Sequence, residues 1–499
     1  MRNLTHLLCL AVAICRVAAP QALSVPWSGY GHDAQHTGIS AVASQSLQRI
    51  RWQTSLDLAP QFSGSSLLIH YGSPLVTAGN TVLLPVKTGA TDGFRMEARR
   101  GSDGTLVYTL NSDYSLPPHN WTPSYGAVLS ARNRLYYPGA GGTVYYRDSP
   151  DAATGGSGQI AFYGNANYTG NPVAFDNTVK ISTPITSDRL GNIFFGYTVL
   201  GPNPLNLESG LAKIAYNGVG TMITATAAAG GDSTIAGVSL NCAPALSNDH
   251  RTLYFAVSTG SNGTGYLVSI DSRTLAPLAR IPLKDPRTLS NALLFGDSTS
   301  SPTIGPDGDV YFGVLENPFP SHNARGWLLH FDSSLTQTKT PGAFGWDDTA
   351  SVVPAKLVPS YTGTSPYLLL TKYNNYFGVG TGDGINRVAI IDPFVAAADP
   401  ISGIPTMREV IAIAGPTPET DHPGVREWCI NTAAIDPFTK SALINSEDGK
   451  LYRWNFATNT FTQQIVLTPG IGEAYTPTLI GVDGTVYAIN NATLFAVGN

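Results

Sequence analysis

Internal repetition narrows the folding of this chain more than any other feature. One short pattern recurs along it: two small or polar residues, a proline, a turn a few residues on, and then an apolar, β-rich stretch. It reads Gly72-Ser73-Pro74 before the strand-like run from Thr81, Trp121-Thr122-Pro123 before the run from Arg134, and Ser182-Thr183-Pro184 before the run from Asn192. It continues as Cys242-Ala243-Pro244 before Thr252, Ser300-Ser301-Pro302 before Asp309, and Leu357-Val358-Pro359 before Tyr367. A degenerate copy, Asn431-Thr432-Ala433 before Ala442, and a last one, Tyr475-Thr476-Pro477 before Thr485, complete the series. In most copies the second strand begins about eight residues after the proline, across turns such as Ala78-Gly79-Asn80 and Pro306-Asp307-Gly308 that carry hairpin chemistry. Third strands follow, for example from Gly265 to Asp271 and from Gly449 to Trp454, and a fourth from Thr462 to Val466.

Four strands per unit at a period near sixty residues describe propeller blades. The first 24 residues apart, the chain fills eight such units. The fold class expected is all-β: an eight-bladed β-propeller over 25–499, as a single domain, around a solvent-filled channel. The last copy runs out at Asn499 after three strands, so the strand-like segment from Arg49 to Thr54 is expected to supply the fourth and close the ring. Closure removes sheet edges that would otherwise recruit other strands. Two smaller β domains in tandem are the alternative, although no linker-like stretch divides the chain.

Composition excludes several classes. Charged residues are 13% of the 499, with 52 Gly and 35 Pro, so long helices do not dominate. The net charge of −5 and the lack of a Lys/Arg cluster argue against a nucleic-acid partner. Arg2, the eight-residue apolar run from Leu7 to Ile14 and the small residues up to Ala22-Leu23-Ser24 read as a secretory signal over 1–24, the alternative being an apolar N-terminal strand. No later stretch has membrane-spanning length free of Gly, Pro or charge. The protein is therefore expected to be secreted or otherwise extracytoplasmic. Cys9 and Cys15 leave with the signal. Cys242 and Cys429 remain, either as a disulfide or as free thiols. Asn120, Asn167, Asn262 and Asn491 are glycan acceptor sites if the host glycosylates.

Chemistry is expected where the inner strands begin, because those loops open on one face of the ring. The candidates there are His119, Asn120 and Trp121, then Lys180, Asn241 with Cys242, Asp297, Arg426, Glu427, Trp428 and Cys429, and finally Glu473 and Tyr475. His119, Glu427 and Glu473 are the acid–base candidates, each with a plain alternative as a turn or solvated loop residue. Trp121 and Trp428 either stack a planar ligand or pack a blade. Asn120, Lys180, Asn241, Asp297, Arg426 and Tyr475 complete a polar, aromatic lining suited to a small ligand. His32, Asp33 and His36 read as a hydrogen-bonded N-terminal clasp rather than a metal site, since glycines bracket them and no helix is expected. No metal is assigned.

The run Trp27-Ser28-Gly29-Tyr30-Gly31-His32-Asp33-Ala34-Gln35-His36-Thr37-Gly38, with the repeat from Ser300 to Gly313, resembles the PQQ-like repeat (quinoprotein alcohol-dehydrogenase-like) propellers over essentially all of 25–499. That family includes dehydrogenases holding pyrroloquinoline quinone and Ca²⁺ over the channel, and scaffolds that bind protein segments. The vicinal cysteine pair typical of the dehydrogenases is missing here, so the resemblance implies the fold and carries over no cofactor ligand. Three readings stay open. The first is an extracytoplasmic binding protein for a small molecule or protein partner. The second is a quinone-dependent oxidoreductase. The third is a cofactor-free lyase or cyclase built around His119.

Overall fold

The structure, a computed structural model, describes residues 25–499 except 65, 91, 119–123, 261, 296–299, 430, 431, 471 and 473. Eight antiparallel sheets follow one another around a ring. Blade 1 holds Leu75–Val76, Thr81–Lys87, Asp92–Arg100 and Leu106–Ser115. Blade 2 runs from Val128–Leu129 to Ser157–Ala161, blade 3 from Val179–Ile181 to Gly220–Thr224, and blade 4 from Gly237–Val238 to Pro277–Pro282. Blade 5 is Thr303–Ile304, Val310–Val314 and Trp327–Phe331. Blade 6 runs from Ser351–Pro354 to Pro405–Ala414, and blade 7 from Ala434–Asp436 to Thr460–Val466. Blade 8 orders Leu479–Ile480, Val486–Asn490, Thr493–Gly498 and, from the other end of the chain, Arg49–Ser55. The last pairing is antiparallel, Arg49 against Gly498 and Ser55 against Thr493, and it closes the ring as expected.

The burial of each strand follows its place in the blade. Second strands are covered on both faces by neighbouring blades and are mostly apolar: Thr81–Lys87 and Tyr367–Tyr373 are buried at every position, Lys87 and Lys372 included. Outer strands have one wet face, and Thr460–Val466 alternates exposed and half-buried residues. The core lies between blades, as in the cluster joining Cys242 and Tyr254 of blade 4 to Phe312 and Trp327 of blade 5.

The axis departs from expectation. At the face where the inner strands end, the channel is filled by the N-terminal segment, which winds around the ring and bonds one blade after another. Trp27 exchanges backbone hydrogen bonds with Val76 of blade 1, and Ser28 accepts from Leu129 of blade 2. Ala34 accepts from Leu246 of blade 4, Gln35 from Ile304 of blade 5, Thr37 from Val352 of blade 6 and Gly38 from Ile435 of blade 7. Gly38 has φ +68, and a Cβ there would lie 2.8 Å from the Ala433 carbonyl, so only glycine lets the segment approach blade 7 this closely.

The clasp residues hold this plug. The Asp33 carboxylate accepts from the amides of Gln35 (3.1 Å) and Thr37 (3.0 Å) and from the Thr37 hydroxyl (2.5 Å). His36 is buried and its Nδ1–H donates to the Pro302 carbonyl at 2.7 Å. Burial pushes the His36 ring down to about 4. Asp33→Ala should cost about 1–3 kcal/mol by leaving buried donors unpaired. Hydrogen exchange should then show amides 27–40 losing protection before the blades do. A uniform loss over the whole ring would refute a separately anchored plug. Acid should act in the same direction. Between pH 6.5 and about 4 the unfolded chain binds a proton at His36 that the native state refuses, so stability falls as pH falls through that window.

Candidate functional site

The hydrogen bonds that seat the plug also fix the true register of the repeats. Each blade that accepts the plug does so two residues after the position held by Pro74, Pro244 and Pro302. By that rule the equivalent position in blade 2 is Ala127, not Pro123, and in blade 6 it is Ala350, not Pro359. In blade 7 it is Ala433, as read from the sequence. The correction matters for blade 6, because the loop entering its inner strand is then Trp346-Asp347-Asp348-Thr349, which the sequence reading passed over.

A polar belt knits these entry loops together. The Thr303 hydroxyl donates to the Ala350 carbonyl (2.9 Å), and that of Ser351 to Ala433 (2.8 Å). The Ser301 amide donates to the Thr349 hydroxyl (2.9 Å), and the Thr432 hydroxyl to the Thr349 carbonyl (3.3 Å). Tyr30 of the plug bonds the Thr349 hydroxyl at 3.0 Å, closing the channel floor.

Above that floor, over blades 6, 7 and 8, sits a charged cluster. Asp347 and Asp348 come from the entry loop of blade 6, and Lys372 from the end of its second strand, Tyr367–Tyr373. All three are buried. The Lys372 ammonium pairs with the Asp347 carboxylate. The Thr371 hydroxyl and the Lys372 backbone amide (3.2 Å) both donate to Asp348. Burial raises Asp347 to about 6 and Asp348 to about 7, although Lys372 opposes the shift in both. The same two carboxylates hold the Lys372 ammonium above its ordinary value against the cost of burial. Glu427 and Cys429 enter from blade 7 and Tyr475 from blade 8. Glu427 is raised chiefly by burial, with Lys372 opposing and Asp347 reinforcing. Tyr475 is buried, its hydroxyl has no partner, and it feels the charges of Asp347 and Asp348. Three carboxyls thus share one ammonium, two of them poised to exchange protons near neutral pH. Perturbed, mutually coupled carboxyls of this kind cluster at functional sites, and structural ion-pair networks produce them too.

The structure distributes the sequence candidates unevenly. Glu427, Cys429 and Tyr475 join the cluster. Lys180, on blade 3, donates to Ser115 and to the Asp176 carbonyl (2.5 Å each), away from it. The Asn241 amide donates to the Ser182 carbonyl (2.8 Å), linking blades 4 and 3. Arg426 turns to Glu419 at 3.0 Å. Trp428, open to either stacking or packing from the sequence, is completely buried against Tyr452 and Phe461, in the manner of a packing residue. His119, Asn120, Trp121, Asp297 and Glu473 lie outside the described residues, as does the stretch 1–24 read from sequence as a secretory signal. Cys242 and Cys429 do not pair with each other: the first is sunk between blades 4 and 5 and the second is packed toward blade 8. Of the glycan acceptors, Asn167, Asn262 and Asn491 are exposed. No helix among the described residues is long and apolar enough to cross a membrane.

No known family profile matches the chain, and no curated protein does. Solved structures do match in fold. A europium-containing methanol dehydrogenase superposes at TM-score 0.56 and 10% identity, over 93% of this chain and 89% of its own. The quinohemoprotein alcohol dehydrogenase from Comamonas testosteroni gives 0.56 and 11%, over 96% and 81%. Saccharomyces cerevisiae Sqt1 gives 0.51 and 11%, over 89% and 99%. At such identities the likeness is one of fold: this chain is a β-propeller similar in architecture to the quinone-dependent alcohol dehydrogenases.

Proposed function

We propose that the protein acts outside the cytoplasm as a binder of a small polar molecule, held at the charged cluster of blades 6–8, with Asp348 exchanging a proton with it. The observation that carries this reading is the buried Asp347–Asp348–Lys372 set. An ion cluster of this kind does not repay its desolvation by folding alone, since apolar residues of the same volume would serve the fold as well or better. Lys372 is the fixed donor for an oxygen of the ligand, Asp348 the proton acceptor, and Tyr475 a hydroxyl without a partner. Thermal melts with polyols, sugars, hydroxy acids and amino acids at pH 7.5 test it. One class should raise the melting temperature of the wild type and fail to raise that of Asp348→Asn. Equal shifts in both proteins, or no shift with any class, would refute the reading.

A second reading, oxidoreduction with pyrroloquinoline quinone, is favoured by the architecture of the two dehydrogenases and by the chemistry of the same donors. The residues fit the organic group: Lys372 offers an ammonium to a quinone oxygen, and Asp348 accepts a proton from a bound alcohol. They fit a companion calcium poorly, because Asp347 is taken by Lys372 and Asp348 by Thr371 and a backbone amide. When bound, the quinone would supply a two-electron acceptor. Reconstitution should shift its absorbance with wild type and less with Asp348→Asn. An unperturbed spectrum together with no dye reduction would dismiss it.

A further inference from the structure

We propose a divalent transition-metal site on the hairpin that precedes blade 7, formed by Glu419, Asp421 and His422. Its grounds are independent of the reading above.

The hairpin is well defined. The Glu419 amide donates to the Gly424 carbonyl (3.2 Å), the Arg426 amide to Thr417 (2.9 Å), and Pro418 faces Val425 across an antiparallel bridge. At its tip, one potential ligand atom each from Glu419, Asp421 and His422 lies within 4.8 Å of the other two. The His422 ring stacks on Phe377 with centroids 4.8 Å apart and planes 5° from parallel, which holds it from behind.

The geometry of the imidazole is compatible with the tautomer a metal requires. His422 Nδ1 lies 3.0 Å from the Pro423 carbonyl, which can only accept, so Nδ1 carries the hydrogen. In the neutral ring Nε2 then presents a lone pair toward Asp421, 3.7 Å away. The separation is too long for an N–H···O hydrogen bond. It is close to the spacing of two ligands on one zinc, about 3.4 Å for metal–ligand bonds of about 2.1 Å at a tetrahedral angle.

The supporting contacts are those that orient ligands around a metal. Arg426 holds Glu419 by Oε2 at 3.0 Å, leaving Oε1 free, and the Pro423 carbonyl fixes the imidazole tautomer. One nitrogen and two carboxylate oxygens suit Zn²⁺, with Mn²⁺ weaker. Three protein ligands leave at least one position for water or a bound molecule. Glu427, adjacent in sequence to Arg426, lies within electrostatic reach of both Glu419 and His422, so a cation here would act on the charged cluster of blades 6–8.

Chelator-stripped full-length protein, titrated calorimetrically with Zn²⁺ and then Mn²⁺ at pH 7.5, tests this. The wild type should take up one equivalent of Zn²⁺. His422→Gln and Asp421→Asn, both on an exposed tip, should each weaken uptake at least tenfold while leaving the melting curve of the metal-free protein unchanged. In the wild type, Mn²⁺ should broaden the His422 ring resonances. No stoichiometric uptake, uptake unchanged in both variants, or a His422 resonance that titrates with pH but ignores Mn²⁺ would overturn the proposal. Loss of polar-molecule binding in Asp348→Asn would leave Zn²⁺ uptake intact, which separates the two sites.

Discussion

Lys372→Met is expected to destabilise the protein by about 3–5 kcal/mol at pH 8 and far less at pH 4.5. The figure is that for removing one partner of a buried ion pair and stranding the other. Asp347 and Asp348 are both buried beside this ammonium, and burial already raises them to about 6 and 7 with Lys372 present. An unfolded aspartate titrates near 3.9. Between that value and the native ones the folded protein binds more protons than the unfolded chain, so its stability falls as pH rises. Without Lys372 the native values climb further and the window of loss extends above pH 7. At pH 4.5 the carboxyls are largely protonated in the folded state, and the missing ammonium matters little. Urea melts at the two pH values measure this, and Asp347→Asn added to Lys372→Met should recover part of the deficit at pH 8. An equal loss at both pH values would show that Lys372 acts through packing, not charge.

Ending the chain at Ala492 is expected to abolish cooperative folding. The strand removed, Thr493–Gly498, bonds Val486–Asn490 on one side and Arg49–Ser55 on the other, so its loss strips blade 8 of its centre and opens the ring. Leu494, Phe495 and Val497 are all buried. At about 1.5–3 kcal/mol for each large apolar side chain, the burial of the three is worth about 4.5–9 kcal/mol. That approaches the whole margin of a typical domain, about 5–15 kcal/mol. Circular dichroism melts and gel filtration would report it. A truncated chain melting sharply at the wild-type temperature would mean that blades 1 to 7 stand without closure.

The eight blades were legible because each second strand must be apolar on both faces, and runs such as TLYFAV and DVYFGV betray that demand. Register was less legible where the marker changed. Blades 2, 6 and 7 carry Ala127, Ala350 and Ala433 where others have proline. In blade 6 the insertion 355–366 delays the second strand to Tyr367. The usual spacing of about eight residues therefore pointed to Pro359, beyond the short 3-10 turn Ala355–Leu357. That slip of nine residues hid Asp347 and Asp348, the acidic half of the cluster, while Glu427, Cys429 and Tyr475 were found because blades 7 and 8 kept the spacing to the second strand, even where blade 7 lost its proline. Lys372 stayed hidden because it stands within an otherwise apolar strand, where its partners are visible only in three dimensions. The plug was half seen. Its clasp could be guessed from His32, Asp33 and His36, but its course around the axis rests on backbone hydrogen bonds, which any side chains permit.

That course has a consequence for how the molecule is made. Gln45 waits for Gly484, and the Ser44 amide for the Asp436 carboxylate at 2.8 Å, partners synthesised more than 390 residues later. The earliest residues to emerge are thus among the last to find their places, and contacts of such separation slow folding. Until blades 7 and 8 have been made, the amino-terminal stretch lacks these partners.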